Sequence, residues 1–234
     1  MIIATYIDHM GTDLSVVNAA RVSFGKKSTW EGQEDGLYDG KGGRGVLAPR
    51  DKKLIAYLAK HKHMSPFGHA FASFHVKAPI AVARQLVKHK FLRWNEISRR
   101  YVDSEPEFYE PVDFRSKSLD KKQGSDESIE DQHMIKEVVR HQGIESAKQY
   151  KYLLAMGVCE EQARFVLPVN TLTEWYWSGS IDAFADMCRL RVAPDTQEET
   201  RQVAEQIDTV MYELFPIKQK NFLEKQVRAL PNML

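Results

Sequence analysis

Between Gln85 and Tyr101 the chain reads Gln-Leu-Val-Lys-His-Lys-Phe-Leu-Arg-Trp-Asn-Glu-Ile-Ser-Arg-Arg-Tyr. Counted from Arg84, the cluster gathers Lys88, His89, Lys90, Arg93, Arg99 and Arg100 around one acid, Glu96, in a protein whose formal net charge is only +1. So local an excess of cations implies an anionic partner. Gln85, Asn95 and Ser98 add neutral donors and acceptors, a mixture suited to a ligand that carries both phosphate oxygens and a polar ring. Phe91, Leu92, Trp94 and Ile97 interrupt the charge, so the segment is expected to be partly buried. Two readings stand: a solvated helix end with stacked charge, and an anion pocket. The interleaved apolar residues favour the pocket.

The elements that must position these residues follow from periodicity. Ile2 to Ile7 is a short β-rich run, and Asp13 to Val22 has helical spacing through Leu14, Val17 and Ala20, with Asp13 as N-cap. Asp51 to His61 reads as a helix. Ala70 to Lys77 alternates, with Ala70, Ala72, Phe74 and Val76 on one face, and is predicted as a strand. Pro79 opens a helix whose buried stripe is Ile80, Val82, Ala83, Leu86 and Val87, leaving Gln85, Lys88 and His89 where it runs out. Further on, Ile135 to Met156 is a long amphipathic helix. Glu160 to Trp177 is predicted helical with a bend at Pro168, and Ile181 to Arg191 is helical again. Thr196-Gln197-Glu198-Glu199 is a capping box that opens a helix ended by Pro216.

Composition sets bounds. A chain of 234 residues, 43% hydrophobic, can bury a full core. Its near-neutral charge argues against a protein that coats nucleic acid, and no apolar run reaches the roughly 18 to 20 residues of a membrane span. The two cysteines, Cys159 and Cys188, allow at most one bridge, and neither has a basic partner in sequence to activate a thiolate. With no signal-peptide pattern, the cytoplasm is the expected compartment. The glycines from Gly25 to Gly45 lack the strand-to-helix context of a phosphate loop. His61, His63, His69 and His75 match no usual zinc spacing, so no metal is expected.

Lys88-His89-Lys90, then seven residues to Ser98, then Arg100-Tyr101, resembles the signature of the flavin-dependent thymidylate synthases, where Arg-His-Arg stands seven residues before a serine. The resemblance extends to His63-Met64-Ser65-Pro66-Phe67-Gly68-His69, Phe74-His75-Val76-Lys77-Ala78-Pro79, Ala19-Ala20-Arg21-Val22-Ser23-Phe24, Ala163-Arg164-Phe165-Val166-Leu167-Pro168 and Leu190-Arg191, in the family's order. It implies one α/β domain over 1–234, with a central twisted, largely antiparallel sheet flanked by helices. A Gly-rich insertion at about 25–50 and a polar loop at about 115–133 would interrupt it.

The activity so implied is FAD-dependent reductive methylation of dUMP to dTMP. Methylenetetrahydrofolate is the carbon donor and NADPH the reductant, no cysteine nucleophile is used, and the active sites of a homotetramer are built across subunits. By position, Gln85, Lys88, Glu96, Ser98, Arg99, Arg100, Arg164 and Arg191 would surround dUMP, with Ser98, Arg100 and Arg164 nearest its phosphate. Arg191 would be the catalytic residue, since C5 of uracil becomes nucleophilic when a fixed cation draws charge toward N3 and the ring oxygens. Its plainer reading is a helix C-terminal cation that complements the dipole. Ser23, His63, Ser65, Lys88, His89, Lys90 and Glu96 would meet FAD, with Ser180, Asp182 and Asp186 toward its adenosine half. Lysine at 88 and 90 keeps the charge but loses the planar two-pronged grip of arginine, so weaker flavin retention is expected. The alternative is a small basic nucleotide- or nucleic-acid-binding protein without catalysis.

Overall fold

The computed structural model describes residues 1–31, 45–118 and 125–216. In chain order come strand β1 (Ile3–Met10), helices α1 (Asp13–Arg21) and α2 (Pro49–Lys60), strand β2 (Phe71–Pro79), helix α3 (Ile80–Leu86) and strand β3 (Arg93–Glu96). Strands β4 (Arg115–Lys117) and β5 (Ser125–Ser128) precede the long helix α4 (Gln132–Ala155) and the single turn α5 (Glu160–Ala163). Strand β6 (Leu172–Ser180) and helices α6 (Ile181–Arg191) and α7 (Glu198–Leu214) follow. The main sheet has the order β1-β2-β6-β3 with every pairing antiparallel, so the chain is a mixed α/β fold with an antiparallel sheet flanked by helices.

The alternation read in β2 is the sheet's inner face: Ala72, Phe74, Val76 and Ala78 are buried while Ser73, His75 and Lys77 are not. In β6, Thr173, Trp175, Trp177 and Gly179 face the same way, with Phe74 opposite Trp177 and Val76 opposite Trp175. Trp94 of β3 stacks on Trp175 at 4.3 Å between ring centroids, and Phe184 of α6 meets Phe74 edge-on at 5.2 Å. Thr200, Val203, Ala204, Ile207 and Met211 recur at helical spacing on α7 and are buried, which lays that helix against α6, β1 and β2. Edge-to-face aromatic packing adds to burial here rather than replacing it.

Gly179 is where β6 meets the turn before β3. A Cβ there would lie 2.5 Å from Leu92 Cδ2 and 3.2 Å from the Phe91 carbonyl oxygen. Gly179→Ala is therefore expected to lower the unfolding free energy by about 1–3 kcal/mol through overpacking, measured by denaturant titration. An unchanged midpoint would show that Leu92 yields freely.

Several expectations are corrected. The predicted bent helix Glu160 to Trp177 stops after one turn, passes through a 3-10 turn at Arg164–Val166, and becomes strand β6. Pro168 breaks the helix, and from Thr173 onward alternating Thr and Trp side chains fit a pleated half-buried surface. The segment Arg93–Glu96 is likewise a strand, so the charge cluster is not a solvated helix end. Leu92 is buried at 5%, but Phe91 is 84% exposed, and Val87, expected in the buried stripe of α3, is 46% exposed.

The N-cap of α1 is Thr12, one residue before Asp13, with the Thr12 amide donating to Ser15 Oγ (3.0 Å). The cap of α7 is Gln197, because the Thr196 hydroxyl instead donates to the Leu190 carbonyl (3.1 Å). The polar stretch at 115–133 contains the β4–β5 ladder; its residues 119–124 lie outside the described residues, as do 32–44 of the Gly-rich insertion. The ends of that insertion meet in a two-way bridge between Glu31 and Val46. Among the described residues, no helix is long and apolar enough to cross a membrane.

Candidate active site

Helices α3 and α6 end side by side, and their last turns form the first cavity. Arg191 closes α6; its Nε donates to His89 Nε2 (3.2 Å) and its Nη2 to the Gln85 carbonyl (3.3 Å), one of the carbonyls left open at the end of α3. Both partners are neutral, so the guanidinium is held in place without being neutralised. Burial lowers the Arg191 pKa, yet a guanidinium remains charged in proteins. The cavity holds about 670 Å³ and is lined by Gln85, Arg189, Leu190, Arg191, Ala193, Asp195, Thr196 and Gln197.

Burial and then the Arg191 charge push the His89 pKa down to about 4, against the opposing influence of Asp186. The imidazole is thus neutral, with its proton on Nδ1, and its ring meets Trp177 edge-on at 6.4 Å. The unfolded chain takes up this proton near the ordinary histidine value of about 6.5, whereas folded His89 does so only near 4. Stability from this group is complete above that window and is lost as pH falls through it. Unfolding free energies at about pH 7 and about pH 4.5 should therefore differ more for the wild type than for His89→Gln, which keeps an acceptor but cannot titrate. Equal differences would contradict a buried neutral imidazole.

The second cavity, about 470 Å³, is lined by Ile80, Ala83, Arg84, Val87, Glu96, Ile97, Ser98, Arg100 and Arg164. Ser98 Oγ accepts from both the Arg100 Nε and its backbone amide at 3.3 Å. Arg164 Nε donates to the Glu161 carbonyl (3.1 Å), and the Arg100 guanidinium lies over the Tyr101 ring at 4.9 Å. Glu96 is occupied elsewhere, accepting from Thr173 Oγ1 (2.7 Å) and Trp94 Nε1 (3.0 Å). Three guanidinium groups around one engaged carboxylate make a site for a compact anion such as a phosphate.

No residue lines both cavities. Ile80, Ala83, Arg84 and Val87 form one stripe of α3, at spacings of three and four, and Gln85 lies about 100° further round the helix. Gln85 and Arg191 thus stand on one flank of α3, and Glu96, Ser98, Arg100 and Arg164 are brought together on the other. Arg99, expected beside the nucleotide, turns away to donate to the Ser104 carbonyl. Lys88 and Lys90 are not among the residues lining either cavity; both are exposed, and His89 between them is half-buried. Arg84, Asp195 and Gln197 were not singled out from sequence. Arg84 borders the basic stretch and is its own signal, while Gln197 was absorbed into the capping pattern.

The residues expected at FAD are spread over three places. Ser23 lies in a 3-10 turn after α1, and His63 and Ser65 flank the start of the turn Ser65–His69, which packs on α1. His63 is nearly parallel to Tyr57 (13°, 6.1 Å), and Tyr57 is 4.3 Å from His61, so three exposed rings present flat faces. Ser180 caps α6 and Asp182 sits in its first turn. Asp182 Oδ1 is buried without a hydrogen-bond partner among the described residues, whereas Asp186 pairs on the surface with Arg189 (3.6 Å). An acceptor-only oxygen of this kind fits a sugar hydroxyl and not a phosphate. Flat ring faces, the Lys88 and Lys90 cations, and an unfilled acceptor are together compatible with a flavin dinucleotide. His75 pairs instead with Glu174 (3.0 Å) on the outer sheet face, and among the described residues no three metal-ligating side chains converge.

The chain thus folds as an antiparallel α/β structure with two cavities, one walled by a fixed guanidinium and one by three arginines. Its architecture is shared with the UMP/dUMP methylase PolB of Streptomyces cacaoi bound with 5-Br dUMP, at a TM-score of 0.78 and 31% identity, covering 96% of this chain and 95% of that one. The chain is 38% identical over 218 residues to the flavin-dependent thymidylate synthase of Thermus thermophilus, covering 93% of this chain and 74% of that protein. Against the enzyme of the same name from Thermosipho melanesiensis it is 35% identical over 226 residues, covering 95% and 91%. Residues 5–217 match the family model described as thymidylate synthase complementing protein. The chain belongs to the flavin-dependent thymidylate synthase family.

Proposed function

We propose that this enzyme converts dUMP to dTMP, using FAD, methylenetetrahydrofolate as carbon donor and NADPH as reductant, without a cysteine nucleophile. The observation that carries the reading is Arg191: a charged guanidinium fixed by two neutral acceptors at a cavity wall. Placed against a uracil ring, it draws negative charge toward N3 and the ring oxygens and so makes C5 nucleophilic. Arg100 and Arg164, with Ser98, hold the phosphate. When bound, FAD supplies the reducing equivalents that complete the methyl group. Lys88 and Lys90 would meet its phosphates, Asp182 a sugar hydroxyl, and His63 with Tyr57 its flat ring. The name shared by the relatives and the bromo-dUMP held by the solved neighbour support this reading.

Ring and phosphate subsites on opposite flanks of α3 suit a nucleotide held between chains. The ring would lie against Arg191 of one subunit and the phosphate against Arg100 and Arg164 of a neighbour. We take the assembly to be a homotetramer, and the cytoplasm as its compartment, in keeping with two cysteines that are not joined in a disulfide.

Cys159 is exposed and Cys188 is buried, with its Sγ toward the Ala204 carbonyl (3.8 Å), and neither lines a cavity described above. The double variant Cys159→Ser, Cys188→Ser is expected to keep dTMP formation within a few fold of wild type, at a stability cost of roughly 1 kcal/mol. A folded but inactive double variant would argue for thiol chemistry. The proposal as a whole is tested by titrating the purified chain with FAD, with and without dUMP. A saturable change in flavin absorbance that dUMP alters is expected, and no change far above micromolar FAD would refute it.

A further inference from the structure

A line of side-chain hydrogen bonds runs from strand β4 to the wall of the Arg191 cavity. Arg115 Nη2 donates to both oxygens of Glu199 (3.0 and 3.1 Å). Gln197 Nε2 donates to Glu199 Oε2 (2.9 Å), and Gln85 Nε2 donates to Gln197 Oε1. Thr200 Oγ1 donates to Gln85 Oε1 (3.1 Å). Glu199 and Thr200 are both buried.

The polarity of this line is dictated from one end. An ionised carboxylate only accepts hydrogen bonds, so Glu199 turns the amino group of Gln197 toward itself. That leaves Gln197 Oε1 facing Gln85, which must answer with its own amino group, and the remaining Gln85 Oε1 falls to the Thr200 hydroxyl. Burial opposes ionisation of Glu199, but hydrogen bonds from Gln197, its own backbone and Arg115, with the Arg115 charge, hold its pKa below the ordinary carboxylate value. Each end of the Gln85 amide has one such partner, which leaves one N–H and one lone pair for a ligand. Reversing the amide would exchange donor for acceptor beside Arg191.

We propose that Glu199, Gln197 and Thr200 are positioning residues that fix the amide orientation of Gln85, so that the nucleotide meets a preset donor and acceptor next to Arg191. This rests on the reading of the first cavity as the ring side of the dUMP site. Arg115 belongs to the device as the cation that keeps Glu199 an acceptor.

Thr200→Val removes the hydroxyl at nearly constant volume, Thr200→Ser restores it, and Glu199→Gln frees the Gln197 amide to turn over. Steady-state dTMP formation is measured for each at saturating FAD, beside the wild type and Gln85→Ala. Thr200→Val and Glu199→Gln are expected to raise the KM for dUMP about tenfold, the size of one hydrogen bond, with kcat changed less than about twofold and FAD affinity unaltered. Thr200→Ser should return the KM to near the wild-type value, a rescue that a merely structural role does not require. Should Glu199→Gln fail to fold, with Arg115 losing its partner, the Thr200 pair decides alone. The proposal is overturned if Thr200→Val leaves the KM within about twofold while Gln85→Ala raises it tenfold or more. A wild type that forms no dTMP and binds no dUMP overturns the reading of the site itself, a result distinct from active wild type with indifferent variants.

Discussion

Arg191→Ala is expected to lower dTMP formation at saturating dUMP by about 10²–10³-fold, the usual effect of removing one preorganised donor from developing charge. Among the described residues the guanidinium donates to His89 Nε2 and the Gln85 carbonyl and to no carboxylate, so its charge is not neutralised by a bonded acid. Nucleotide binding should survive in weakened form, because Arg100 and Arg164 lie in the other cavity and are untouched. Arg191→Lys should recover only part of the loss, since an ammonium cannot reach two acceptors and a ring edge with one planar fork. Steady-state kinetics with a parallel dUMP titration measure both effects. Near-normal turnover in Arg191→Ala would make the residue a helix-terminal cation and no more.

The second large effect is a gain. Arg191→Ala and Arg164→Ala are each expected to be nearly inactive alone, yet mixing them in equal amounts under conditions that exchange subunits should restore activity at about a quarter of the sites. Random pairing gives that fraction when each site takes its ring side from one chain and its phosphate side from another. The pairing partner for Arg191 is chosen from the geometry. His89 is in contact with Arg191 in the same chain (3.2 Å), so variants at those two positions damage the same half of a site and should not complement. Arg164 lies across α3. No recovery with the Arg191 and Arg164 pair, after demonstrated exchange, would mean that each chain carries a whole site.

What the sequence conveys depends on whether a feature is local. The helix Ile181–Arg191 and the inner face of β2 are both legible because amphipathic period and side-chain identity agree there. β6 is misread because Ala163, Val166 and Leu167 carry the apolar spacing of a helix into Pro168, and the two-residue alternation starts only at Thr173. The charge cluster marks the site's neighbourhood but not its layout. Lys88 and Arg99 share the motif with Ser98 and Arg100, yet they point to solvent and to the Ser104 carbonyl respectively. Which flank of α3 each residue occupies is set by the rotation of a seven-residue helix, a property no motif spacing encodes. Gln197 and Thr200 show the same limit from the other side, since their partner Gln85 is more than a hundred residues away in the chain.

The central claim is flavin-dependent methylation of dUMP, and one assay addresses it most directly. The purified full chain is incubated with dUMP, methylenetetrahydrofolate, NADPH and added FAD, and dTMP is quantified with each component omitted in turn. The account predicts dTMP in the complete mixture, none without dUMP or the folate, and a rate that rises with added FAD, in keeping with lysine at positions 88 and 90. A folded, FAD-loaded protein that forms no dTMP, or one that forms it equally well without flavin, would contradict the account.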